Sequence, residues 1–93
     1  MNLSSGAATQ ICAQQFDRRF FSLPHDIQAR LQRRIDEPGQ NLRGFPHYRM
    51  QGVDVFRLRV GDYRIVYQFN AERNELYLIA VGNRREIYKK PFN

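Results

Sequence analysis

Apolar residues recur first at helical spacing and then, past the middle of the chain, at every second position. Phe16, Phe20 and Leu23 step by three to four, with Asp17, Arg18 and Arg19 on the other side, which predicts an amphipathic helix over about 14–23. Pro24 ends it and also suits the first turn of a new helix, where Asp26 complements the positive end of the dipole. Ile27, Leu31 and Ile35 step by four and predict a second helix that stops before Pro38-Gly39. So short a link makes the two an antiparallel hairpin, each burying one stripe. Upstream, Thr9 to Ala13 fits either a short strand or the start of the first helix, and residues 1–8 read as a loose leader.

After a loop from Gly39 to about Gly52 the period becomes two. Phe56, Leu58 and Val60 point one way and Arg57 and Arg59 the other. Gly61-Asp62, with glycine first, has the composition of a two-residue type II′ hairpin turn. Tyr63 to Phe69 returns as a strand of aromatic and β-branched residues, and Asn70 to Asn74 makes the next turn. Glu75 to Val81 is nearly all apolar, so this strand is expected to be buried on both faces. The fold class is therefore α+β: an N-terminal helical hairpin packed on one face of a small antiparallel β-sheet, in a single domain over residues 1–93.

Composition narrows the class. At 93 residues the chain supports one modest core. No stretch approaches the roughly eighteen apolar residues of a membrane span. Met1 to Gln10 has neither the basic start nor the apolar run of a signal peptide, so a cytoplasmic location is expected. The single cysteine, Cys12, reads as a small apolar filler. No Cys/His spacing of a metal site occurs, and neither a metal nor another cofactor is expected.

Charge adds a partner. The net charge is +6, of which residues 1–42 carry +1 and residues 43–93 carry +5. Thirteen of the fifteen basic residues are arginine, whose planar fork matches phosphate oxygens bidentately where lysine offers a point charge. A polyanion is implied, nucleic acid ahead of a membrane because no strongly amphipathic basic helix stands out. The bland alternative is a solvated basic surface that aids solubility. Against it, alternation places Arg57, Arg59 and Arg64 on one side of the sheet, where the segment 84–88 can join them around a concave basic patch.

Leu42-Arg43-Gly44, the stretch from Phe56 to Tyr67 with its Arg-Val-Gly-Asp-Tyr-Arg, and Val81-Gly82-Asn83-Arg84-Arg85-Glu86-Ile87-Tyr88 together resemble the RelE/ParE toxin superfamily over about residues 14–90. The closing Arg-Arg-Glu-Ile-Tyr points to its RelE branch of mRNA interferases. That resemblance implies the toxin of a type II toxin–antitoxin system, an endoribonuclease that cuts messenger RNA in the ribosomal A site. The ribose 2′-hydroxyl attacks the adjacent phosphate, leaving a 2′,3′-cyclic phosphate and a free 5′-hydroxyl. It implies functional positions at Arg57, Arg64, Arg84 and Tyr88, of which Arg64, Arg84 and Tyr88 are expected to be catalytic; Arg57, Arg59, Arg85, Lys89 and Lys90 are expected to bind RNA phosphates. Val55 stands where some relatives carry a lysine, and Asn83 where many have a histidine. The implied partners are the ribosome, its message and a cognate acidic antitoxin, in a heterotetramer or larger assembly.

The chemistry is compatible with these residues. Guanidinium groups can neutralise a phosphate during in-line attack without a metal, but arginine is no base near neutrality. Nearby cations favour the ionised form of a phenol, which makes Tyr88 the candidate base; otherwise it anchors the tail or stacks on a base. Of the histidines, His25 falls at a helix start away from the basic face, whereas His47, on the loop into the sheet, is a possible acid or base. Two other functions share this pattern. One is a ParE-like poison of DNA gyrase, the other a non-catalytic module that binds RNA or titrates antitoxin.

Overall fold

The computed structural model describes residues 6–89, the side chain of Lys89 excepted. Its elements are β1 (Thr9–Cys12), α1 (Gln14–Phe20), α2 (His25–Gln40), β2 (Tyr48–Arg49), β3 (Phe56–Val60), β4 (Tyr63–Asn70), β5 (Glu75–Asn83) and α3 (Arg84–Lys89). The five strands form one sheet in the order β1-β5-β4-β3-β2. β3, β4 and β5 make the antiparallel meander that alternation predicts, turning at Gly61 with φ +59°. The sheet as a whole is mixed, not antiparallel, because the ambiguous segment Thr9–Cys12 is a strand and lies parallel to β5. An edge strand with one partner, mostly exposed, carries no alternation to announce it.

The helical hairpin covers one face, α1 over β5 and α2 over β3. Phe16, Phe20, Leu31 and Ile35 from the helices meet Leu58, Val60, Ile65, Tyr67, Leu76, Leu78 and Val81 from the strands in a single core. Fully burying each such side chain stabilises the fold by about 1.5–3 kcal/mol before entropy is counted. Helix α1 is shorter than its pattern, ending at Phe20, yet Leu23 still reaches the core from the following turn.

Helix α2 overruns its expected stop and continues through Pro38 and Gly39 to Gln40. Packing outweighs the local breakers there: both residues are buried, with the Leu76 side chain of β5 packed beside Gly39. Residues 6–8, read as loose, are tied in. Ala8 is buried, its N–H donates to the Gly39 carbonyl at 2.7 Å, and the Gly6 carbonyl accepts from Asn74. Residues 1–5 lie outside the described residues. Cys12 is exposed on the outer strand, not a buried filler.

A bulge shapes the far end of the sheet. Val66 pairs with Ala80 and Tyr67 with Leu78, so Ile79 is the extra residue on β5. Beyond it the faces exchange: Val81 joins Leu76 and Leu78 in the main core, and Ala80 turns to the opposite face. There Ala80, Val55, Val66 and Ile87 build a second, smaller core that seats α3.

Candidate functional site

The face opposite the helical hairpin carries the site. With Leu58 and Val60 inward, Arg57 and Arg59 must point outward. Arg64 pairs directly with Arg59 across the hairpin and with Gly82 on β5, so the meander brings three arginines onto one face. β5 runs straight into α3, which supplies Arg84, Arg85 and Tyr88. Together Arg57, Arg59, Arg64, Arg84, Arg85 and Tyr88 line one shallow cleft of about 420 Å³. No carboxylate lines it among the described residues. Like charges directly opposite in a sheet, as Arg59 and Arg64 are, are destabilising. Their convergence is physically reasonable where an anion is the intended occupant.

Arg64 differs from the others in being buried, at 5% exposure. One end of its guanidinium donates to the carbonyls of Gly61 and Tyr63, each at 2.8 Å, which fixes the group inside its own hairpin turn. Its Nε is buried without a hydrogen-bond partner among the described residues. Such a donor costs about 1–3 kcal/mol while unpaired. Arg57 donates through Nη1 to the Tyr88 hydroxyl at 2.6 Å, and its guanidinium lies 5.9 Å from the centre of that ring. The phenol oxygen is thereby held at a cation, on a ring that is about half exposed.

Helix α3 has only six residues, too few to be stable alone. Four contacts position it. The Glu86 N–H donates to Asn83 Oδ1 at 3.0 Å and the Asn83 N–H to Glu86 Oε1 at 3.2 Å, a reciprocal cap. Arg19 of α1 grips the same carboxylate bidentately, Nε to Oε2 at 3.0 Å and Nη2 to Oε1 at 2.7 Å. The Arg84 N–H donates to the Asp62 carbonyl in the hairpin turn at 2.8 Å, and Ile87 is buried in the second core. Glu86 lies across Gly82, where an added Cβ would stand 3.2 Å from Glu86 Cβ and Cδ.

Asn83 thus serves as the cap of α3. These positioning residues were not singled out from the sequence. The spacing Asn83-x-x-Glu86 is a capping signature that could have revealed two of them; nothing local marks Arg19, 67 residues away.

His47 is not part of this constellation. It sits among residues of the main core, stacked on Phe69 with ring centres 4.0 Å apart. Nε2 lies 2.7 Å from the Leu42 carbonyl and must donate to it, so in the neutral ring Nδ1 accepts from the Tyr67 hydroxyl at 2.6 Å. Burial pushes the Tyr67 phenol up from its ordinary value, which keeps it a donor. With both nitrogens engaged on the far side of the sheet, His47 is a structural residue here, correcting its reading as an acid or base. His25 is exposed at the start of α2. Lys90 and the side chain of Lys89 lie outside the described residues.

Comparison with solved structures gives the fold. The isolated E. coli RelE toxin has the same fold, with a TM-score of 0.71 at 22% identity over 89% of this chain and 93% of that one. The toxin–antitoxin complexes E. coli RelBE (0.69, 22%, 83% and 96%) and RelB–RelE of Methanococcus jannaschii (0.64, 25%, 85% and 95%) also match. No curated protein sequence matches the chain. Residues 11–88 match the ParE toxin of the type II toxin–antitoxin system parDE. The chain belongs to this family of type II toxins, within the RelE/ParE superfamily.

Proposed function

We propose that this toxin is an endoribonuclease that cleaves messenger RNA in the ribosomal A site and so stops translation. The observation that carries the reading is the cleft of five arginines and one tyrosine, in which the buried Arg64 holds an unpaired donor. The 2′-oxygen forms a bond to the adjacent phosphorus as the bond to the 5′-oxygen breaks. The 2′-proton passes to a base, for which Tyr88 is the candidate, and the departing 5′-oxygen takes a proton from solvent water. Charge growing on the phosphoryl oxygens is stabilised by Arg64 and Arg84, which lie in place before the reaction begins. Arg57 holds the Tyr88 oxygen, while Arg59 and Arg85 engage flanking phosphates, a role that extends to Lys89 and Lys90.

A shallow cleft orients a flexible RNA poorly, and orientation is worth many kcal/mol of a barrier. The ribosome supplies it by presenting the codon. The RelB-bound relatives encourage an antitoxin partner, and the +5 half of the chain calls for an acidic segment that folds as it binds. Toxin and antitoxin then form a heterotetramer or larger assembly in the cytoplasm. No helix among the described residues is long and apolar enough to cross a membrane.

The match to the ParE toxin family favours a second reading, a poison of DNA gyrase that needs no nuclease site. One experiment separates the two. Purified toxin is incubated with programmed ribosomes, with the same RNA free in solution, and with gyrase and plasmid. Cleavage confined to ribosome-bound message is the expected result. Intact message with inhibited supercoiling would transfer the assignment to gyrase, and equal cleavage of free and bound RNA would remove the ribosome from the mechanism.

A further inference from the structure

The basic cleft continues past Arg57 and Arg59 into a second hollow of about 320 Å³, whose lining these two arginines share with Arg34, Phe45, Tyr48 and Leu58. Register explains the continuity. Tyr48 of β2 pairs directly with Arg57 of β3, and residues so paired project from the same face with Cβ atoms about 5 Å apart. α3 packs over β5 and β4, on the other flank of β3 from β2. Arg57 therefore stands between two tyrosines, Tyr88 reaching it from α3 and Tyr48 from the outer strand.

Tyr48 is 64% exposed, against 48% for Tyr88. Its backbone is nonetheless held firmly on both sides. His47 before it is pinned by the Leu42 carbonyl, the Tyr67 hydroxyl and the Phe69 ring. Arg49 after it lies over the Phe56 ring at 5.0 Å and pairs with Asp54. An exposed aromatic ring on a fixed strand, beside phosphate-binding guanidinium groups, is the arrangement that binds single-stranded nucleic acid. The cations track the backbone and the ring takes a base face.

We propose that Tyr48 forms the floor of a base-stacking subsite for the nucleotide next to the cleaved phosphodiester, with Arg59 holding that nucleotide's phosphate. The inference deepens the RNA-cleaving reading and rests on it. Stacking is indifferent to base identity, so the subsite places the RNA backbone across the cleft without choosing a sequence.

The test uses the full-length toxin and a short RNA made uncleavable by a 2′-deoxy sugar at the scissile position, with 2-aminopurine moved through the neighbouring positions. At low salt, wild type and Tyr48→Phe quench the fluorophore at one position and bind alike. Tyr48→Ala, whose lost ring is mostly in solvent, folds normally, loses the quench and binds about tenfold more weakly. Replacing the base at that position with an abasic sugar abolishes the difference between Tyr48→Ala and wild type.

Equal quench and affinity in Tyr48→Ala overturns the subsite, as does a loss that persists with the abasic RNA, or wild type that binds no oligonucleotide. Weakened binding of antitoxin with RNA stacking unchanged likewise overturns it and assigns the ring to a protein contact. The readout needs no turnover. Stacking through Tyr48 by a toxin that leaves ribosome-bound message intact would sink the cleavage reading and leave Tyr48 as a stacking site for RNA that is bound but not cut.

Discussion

The site stands on Glu86, and removing that carboxylate should loosen the cleft without unfolding the protein. In Glu86→Ala, α3 loses its clamp to Arg19 and the half of the cap in which Glu86 Oε1 accepts from the Asn83 N–H, while the N–H of residue 86 still donates to Asn83 Oδ1. That lost hydrogen bond is worth about 1 kcal/mol. The ion pair, with side chains 35% and 39% exposed, is discounted for solvent screening to about 0.5 kcal/mol. The sum, roughly 1.5 kcal/mol, is about a tenfold shift towards an undocked α3. Ile87 remains seated and the main core is untouched, so the loss is local.

Hydrogen exchange should therefore show the α3 amides about tenfold less protected while β4 and β5 are unchanged. Single-turnover cleavage on programmed ribosomes should fall in parallel. Arg19→Ala keeps the cap and should cost only about twofold. Gly82→Ala pushes on the same carboxylate from below, through a 3.2 Å contact, and should mimic Glu86→Ala in part. Unaltered α3 protection and cleavage in Glu86→Ala would refute the argument that this carboxylate positions the site.

Three further outcomes are expected. Tyr88→Phe keeps ring and packing but removes the hydroxyl that accepts from Arg57. Its cleavage rate on programmed ribosomes should fall by about 10²-fold or more with ribosome affinity nearly unchanged, and near-wild-type cleavage would return Tyr88 to a structural role. RNA affinity should fall with salt along a log–log slope that Arg59→Ala makes shallower by about 0.7, one phosphate contact on a single strand; an unchanged slope in binding titrations would place Arg59 off the RNA path. Tyr67→Phe, which leaves His47 Nδ1 without its donor, should cost about 1 kcal/mol or more in urea denaturation near neutrality. Because the folded-state value of Tyr67 is raised, its contribution is whole below the ordinary phenol range near pH 10 and is lost as pH climbs beyond it. Wild-type stability should therefore decline above about pH 10 more steeply than that of Tyr67→Phe.

The sequence by itself determined what local periodicity encodes. The helical stripes of Phe16, Phe20, Leu31 and Ile35 and the alternation of Phe56 to Val60 are properties of successive residues, so both helices and the meander were legible. Alternation also placed Arg57 and Arg59 on the face away from the core. Arg64 followed because a two-residue turn fixes its register opposite Arg59. The tail motif was recognisable as a string of residues.

Tertiary structure decided whatever depends on partners distant in the chain. Thr9–Cys12 is a strand only because β5 offers it a parallel edge. Pro38 and Gly39 stay helical because Leu76 and Ala8 pack and bond against that turn. The bulge at Ile79 sends Ala80 to the second core, which gives α3 its seat. His47 lies near the arginines along the chain and on the opposite side of the sheet in space, its direction set by Tyr67, Phe69 and the Leu42 carbonyl. Period and propensity act over a few residues, whereas the direction of a loop side chain and the docking of a six-residue helix are fixed by burial and hydrogen bonds across the whole sheet.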